Sequence, residues 1–174
     1  MKTIRLAIAG KEKGVILIET VVSLLIVSVI ALGATMANAQ VLNQASRNDD
    51  FVTAERQTLN AIYWITRDIQ QAQTIQPGGA AGFPLTLQWV EWDFNTTKRV
   101  IYSLENNNLK RELSVDGSPS TETLIANYIN SDAASTNCTW LEPVLILTIT
   151  SSLTEGGKTI NVTRVDQITS RPNL

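Results

Sequence analysis

At 174 residues the chain has room for one domain of ordinary size and an N-terminal appendage. It holds no His and a single Cys, Cys138, which excludes zinc sites, His-based acid–base and nucleophile arrangements, and any intramolecular disulfide. The first 14 residues hold four of the 14 basic and one of the 16 acidic side chains, so the remainder carries ten basic against fifteen acidic groups, a formal −5; that balance argues against nucleic-acid binding, which needs basic surface to replace counterions.

The chain opens with Lys2, Arg5, Lys11 and Lys13 against only Glu12. From Val15 to Ala39 the one charged residue is Glu19. An apolar run of about 25 residues spans a bilayer as a helix, at about 1.5 Å per residue against a core of about 30 Å. The basic residues on its N-terminal side place that end in the cytoplasm. Such a segment is open to three readings. It can be a plain membrane anchor. It can be a secretory signal cut at the small-x-small site Ala37-Asn38-Ala39, releasing a chain that starts at Gln40. Or it can be cut at its start and kept. Two details favour the last. The charged leader ends at Gly14 and the apolar run begins at once with Val15. Glu19 then lies five positions into the remaining chain, where cleavage after Gly14 supplies an α-amino group as counter-charge. A carboxylate in a membrane segment costs about 2–3 kcal/mol or more and marks function. A secretory apolar region is also shorter, about 7–15 residues.

The stretch Lys13-Gly14-Val15-Ile16-Leu17-Ile18-Glu19-Thr20-Val21-Val22-Ser23-Leu24-Leu25-Ile26 resembles the class III signal of type IV prepilins and pseudopilins: a short basic leader, Gly before the cut, an apolar start, and Glu at the fifth mature position. The resemblance implies that a prepilin peptidase cuts between Gly14 and Val15 and methylates the new amine, and that Glu19 pairs with that amine on a neighbouring subunit. It further implies an inner-membrane assembly platform, other pilin or pseudopilin subunits and membrane lipid as partners. The subunit would sit in the cytoplasmic membrane as a single span, N-terminus inside, before joining a pilus or pseudopilus. Two departures stand: the first mature residue is Val15 rather than the usual Phe, and the Pro that many major pilins carry in the apolar segment is missing.

No Pro occurs from Val15 to Gln76, and Gly33 is the only Gly, so one long helix is allowed. Past the apolar part, Val41, Ala45, Val52, Leu59, Ile62, Tyr63 and Ile69 fall on one face at helical spacing, with Asp49, Asp50, Glu55, Arg56, Arg67 and Asp68 mostly elsewhere. Pro77-Gly78-Gly79 is the predicted stop. Leu85–Trp92, Val100–Leu104 and Leu109–Val115 read as strands of an antiparallel meander, separated by Asn95-Thr96-Thr97 and Glu105-Asn106-Asn107-Asn108 and closed by Asp116-Gly117-Ser118-Pro119. Thr123–Ile129 fits helix or strand. Asn130–Asn137 reads as loop. Val144–Leu153 and Thr159–Val165 form a hairpin around Glu155-Gly156-Gly157-Lys158. The predicted fold class is therefore α+β: a leader at 1–14, a membrane or filament-core helix at 15–39, an amphipathic helix half at 40–76, and a β-rich head at 77–174. The helix end Ile65–Ala72, followed by Trp89, a Tyr-bearing strand and Leu109-Lys110-Arg111, is similar to the J-type minor pseudopilins of type II secretion and to PilW-like minor pilins.

Candidate sites are few. Gly14 and Val15 are the processing junction and Glu19 the assembly residue. Trp64, off the apolar stripe, is a candidate partner contact, since Trp is enriched at interfaces; Trp89 reads as head core. Asp49-Asp50 and Glu91/Asp93 read as solvated carboxylates rather than metal or catalytic pairs. No nucleotide loop or EF-hand spacing occurs, so no cofactor, metal or catalytic residue is expected. Lys98-Arg99 and Lys110-Arg111 flank a hairpin; solvated strand surface is preferred over a nucleic-acid patch. Cys138 reads as a buried, inert thiol. The leading functional reading is a non-enzymatic structural and assembly subunit of a type IV pilus, type II secretion or competence pseudopilus. The alternative is a secreted or membrane-anchored binding domain with a conventional signal or anchor cleaved near Ala39.

Overall fold

The structure, a computed structural model, describes residues 9–79, 81–91 and 95–170, with side chains from Leu17 onward. Residues 1–8 of the leader, and Trp92 and Asp93 after the second strand, lie outside the described residues. The chain divides into two compact units, Met1–Arg47 and Asn48–Leu174.

In the first unit the chain follows a single helix, α1 (Ala9–Ile69), that continues into the second. It runs unbroken through the Gly14–Val15 junction and past Ala39. The helix contains a span long and apolar enough to cross a membrane, with an 18-residue window of mean hydropathy 2.4, none of it buried. Its hydroxyls are satisfied by the helix itself: Ser23 Oγ donates to the Glu19 carbonyl, Ser28 Oγ to Leu24, and Thr35 Oγ1 to Leu32. Such back-bonding satisfies these hydroxyls without water.

In the second unit the C-terminal part of α1 packs on two antiparallel sheets. One sheet holds β1 (Thr74–Gly78), β2 (Gly82–Glu91), β3 (Thr96–Glu105), β4 (Asn108–Val115) and β5 (Thr121–Ala126) in chain order. The other holds β6 (Asn137–Leu141), β7 (Val144–Glu155) and β8 (Lys158–Thr169). The α+β layout read from the sequence is thus present. The two-residue loops Asn106-Asn107 and Gly156-Gly157 have positive φ at both positions, the conformation that matches strand twist in tight hairpins and that Asn and Gly tolerate.

Three expectations change and one open reading is settled. The amphipathic half, set at 40–76, ends at Ile69, and Pro77 and Gly78 lie within β1 rather than stopping the helix. The chain turns at Gln70–Gln73, where the Ala72 amide still reaches the Asp68 carbonyl and the Gln73 amide already reaches Gln88 on β2. From Thr74 on, the β1–β2 ladder satisfies the backbone that a longer helix would have to. Pro77 is tolerated because β1 is an edge strand with a register shift at Pro77/Gly78. The buried stripe is also phased differently. Ala54, Thr58, Ala61, Ile65, Asp68 and Ile69 are buried, while Leu59 and Tyr63 are 48% and 61% exposed. Small residues at 54, 58 and 61 let the sheets approach, and large sheet residues such as Leu87, Tyr102 and Leu147 fill the volume. Of the open stretch Thr123–Ile129, the part to Ala126 lies in strand β5, and beyond it Ile129 makes an isolated bridge to Ser151. Finally, β6 was not anticipated; it directs Cys138 inward and half-buries Trp140 against the core.

β6 is stitched to the start of β2. The Cys138 amide donates to the Ala81 carbonyl at 2.9 Å, and its thiol donates to the Gly82 carbonyl at 3.0 Å. Gly82 has φ +80, and a Cβ there would overlap the Cys138 carbonyl, so only Gly allows this approach.

Candidate functional site

Glu19 projects from the exposed apolar face of α1 in the first unit. Gly14 and Val15 lie on the same helix, one turn before it. No described residue supplies Glu19 with a cation. It is the one charged side chain between Val15 and Ala39 of the apolar stretch.

The second unit contains a buried polar cluster that the sequence did not announce. Asp68, 1% exposed, accepts hydrogen bonds from the Tyr102 hydroxyl at 2.7 Å and the Arg111 Nε at 2.6 Å. Arg67 approaches its other oxygen at 3.5 Å. Burial, reinforced by the Asp68 carboxylate, pushes the Tyr102 phenol far above its ordinary value. Burial alone would lower the Arg111 guanidinium, but its hydrogen bond to Asp68 and the charge of that carboxylate hold it above its usual range. Tyr102 and Arg111 are direct cross-strand partners on β3 and β4, so both face α1 from the inner side of the sheet. The cluster therefore ties the end of α1 to the middle of that sheet. It is an ion pair with a phenol donor, sealed from solvent, and suited to holding position rather than to proton transfer.

Trp64 covers this cluster. It is half-buried against the core, with the Arg67 guanidinium 4.0 Å and that of Arg111 5.5 Å from its ring centre. Tyr63 meets its edge at 6.3 Å. The ring is thus engaged by cation–π contacts within the chain, and the aromatic that faces outward on this part of α1 is Tyr63.

The remaining candidates separate. Lys98 pairs with Glu91 at 2.6 Å, and Lys110 with Glu105 and Glu122, each at 3.1 Å. Arg111 points inward, so the four basic residues of the hairpin form no common patch. Trp89 is buried in the core, as read from its strand. Cys138 is buried, and burial pushes its thiol up to about 12, the inert state read from its solitude. Among the described residues no three Cys, Asp or Glu side chains gather as a metal site. Asp68 escaped the sequence reading because it was sorted with the polar face; its spacing from Ala61 and Ile65 was the available signal, and its partners lie 34 and 43 residues away. Comparison with protein-family models, with curated proteins and with solved structures finds no match to this chain.

Proposed function

We propose that the chain is a pilin-like structural subunit, a minor pilin or pseudopilin of a type IV pilus, type II secretion or competence machine, with no catalytic role of its own. The observation that carries the reading is a single helix, Ala9–Ile69, whose apolar N-terminal part is exposed throughout and holds one carboxylate, and whose C-terminal part is the packed helix of a β-rich unit. An exposed apolar rod is costly in water and calls for lipid first and neighbouring helices afterwards. In this reading a prepilin peptidase cuts after Gly14, the Val15 amine is methylated, and Glu19 meets the Val15 amine of an adjacent subunit, setting axial register as a buried polar pair does in a coiled coil. Before assembly the subunit is held in the cytoplasmic membrane, N-terminus inside.

The test is the mass of the N-terminal peptide of the protein recovered from its host. Val15 with one added methyl group is expected. A chain starting at Gln40 would overturn the proposal in favour of a secreted binding domain, and an intact Met1 in favour of a plain anchor.

A further inference from the structure

Within the second unit, helical spacing sets Arg56, Leu59, Tyr63 and Arg67 of α1 opposite the buried Ala54, Thr58, Ala61 and Ile65. Leu59 and Tyr63 are exposed at the middle of this outward stripe, and an arginine stands about one turn beyond them at either end.

Both charges of the stripe are cations in want of a partner. Arg56 is exposed and meets no carboxylate among the described residues. Arg67 reaches only Asp68, at 3.5 Å, and that carboxylate already holds Arg111, so two guanidiniums share one negative charge. The Arg67 Nε is buried without a partner, and the guanidinium lies against the Trp64 ring, with the side chain 42% exposed. Its outer nitrogens are therefore presented to the outside already oriented, at little further entropic cost. The acids of α1 after Asp50 are Glu55, held by Arg164, and the buried Asp68. Asp49 shares the side but lies seven residues before Arg56, about 10 Å along the axis. Screening confines exposed charges to about 8–10 Å, so the two arginines, not the net charge of the chain, set the potential here.

The surface also has a shape. Leu59, Tyr63 and Arg67 form one ridge at four-residue spacing, and Arg56, Asn60 and Trp64 the next. Asn60 is drawn toward β5 by its bond to the Ile125 carbonyl, and Trp64 is half-buried against the core, which leaves a groove beside the first ridge. Ridges and grooves of this kind are how helices pack on one another. An apolar centre with charges at its ends is the anatomy of a protein interface, and Tyr, Trp and Arg carry most of the energy of such contacts.

We propose that the outward side of α1 from Arg56 to Arg67 docks a helix of a partner protein, one with apolar side chains between two carboxylates about three turns apart. Charge and spacing select it. The arginines are eleven residues apart, about 16 Å along α1, and a helix laid along the groove brings its carboxylates to both while its apolar residues meet Leu59 and Tyr63. A lipid surface fits less well, because two protruding apolar side chains do not make the wide apolar face that an interfacial helix buries. The stripe lies wholly in the second unit, so the inference goes beyond the subunit reading above and does not depend on how the N-terminus is processed.

The test uses the full-length chain in phosphatidylcholine nanodiscs and two synthetic helical peptides. One carries Glu at two positions eleven apart with Leu between them, and the other carries Lys at those two positions. Binding is read by fluorescence anisotropy of the labelled peptide, with empty discs subtracted. The Glu peptide should bind several-fold more tightly than the Lys peptide. Arg56→Glu and Tyr63→Ala should each weaken it several-fold, and Arg56→Glu with Arg67→Glu should reverse the preference. Arg99→Glu, at an exposed cation of the five-stranded sheet, is the control and should leave binding as it was. Equal binding of the two peptides would overturn the proposal, as would a loss from Arg99→Glu as large as that from Arg56→Glu. Thermal unfolding checks each variant; Arg67 adjoins the Asp68 tie, so Arg56→Glu and Tyr63→Ala carry the test if the double variant unfolds. The other occupant is tested with Tyr63→Cys, which should react with a maleimide equally fast in phosphatidylcholine and phosphatidylglycerol discs. Protection in the latter would give the stripe to anionic lipid and overturn the proposal.

Discussion

Asp68 shows how much one residue can decide. It is a charge 1% exposed, and its partners divide unequally: Arg111 supplies the counter-charge and Tyr102 one neutral hydrogen bond. Removing one member of a buried ion pair leaves the other charged and unpartnered, at about 3–5 kcal/mol, whereas losing a hydroxyl costs about 1–3 kcal/mol. Urea unfolding should therefore rank Asp68→Ala well below Tyr102→Phe in stability; the reverse order would mean the pair is not the tie it resembles geometrically. The phenol adds a pH dependence. Its folded-state pKa lies far above the unfolded value of about 10. Above that pH the unfolded chain loses a proton that the folded chain keeps, so this contribution is present below about pH 10 and is lost as pH rises further. Wild type should lose stability more steeply than Tyr102→Phe above pH 10, and in parallel with it at neutral pH, as read by the urea midpoint across an alkaline series. The raised thiol of Cys138 acts with the same sign in both proteins.

At the level of elements, α1 is governed by which residues meet the sheets. Leu59 and Ile65 are similar in size, but one is exposed and the other fully buried. Ile65→Ala should cost about 2–5 kcal/mol through lost burial and the cavity left behind, and Leu59→Ala should stay within about 0.5 kcal/mol; comparable losses would restore the stripe first read from the sequence. The junction of β2 and β6 is equally local. Gly82 and Gly117 both have positive φ, but a Cβ at Gly117 meets open space while one at Gly82 overlaps β6. Gly117→Ala should lower the melting temperature by the modest cost of a strained backbone, about 1–3 kcal/mol, and Gly82→Ala by considerably more, since the strand itself must move.

For the whole molecule, the division at Arg47/Asn48 and the exposure of the apolar run imply that the second unit draws its stability from its own core. A chain beginning at Gln40 should be soluble and folded, with circular dichroism of mixed helix and strand and a cooperative thermal transition. An unfolded product at moderate concentration would show that the first unit supplies core as well as anchorage.

The sequence by itself determined the organisation of this protein. A basic N-terminal stretch, an apolar run of bilayer length, one carboxylate inside it, and Asn- and Gly-rich turns between alternating strands are local features, and local patterning decides where a long apolar helix, a strand or a hairpin can form. The α+β layout, the meander and the last hairpin were legible for that reason, as were the burial of Trp89 and Cys138. Only the tertiary structure decided where α1 stops, which of its faces is buried, and that β6 exists at all. Gln70–Gln76 is compatible with helix until β2 offers its edge. Leu59 and Tyr63 outrank Ala54 and Thr58 in hydrophobicity, but the small residues win the buried side because they admit the sheet. The Asp68–Tyr102–Arg111 tie joins residues dozens of positions apart. Pairings of that range depend on the fold bringing distant strands together, which no window along the chain contains.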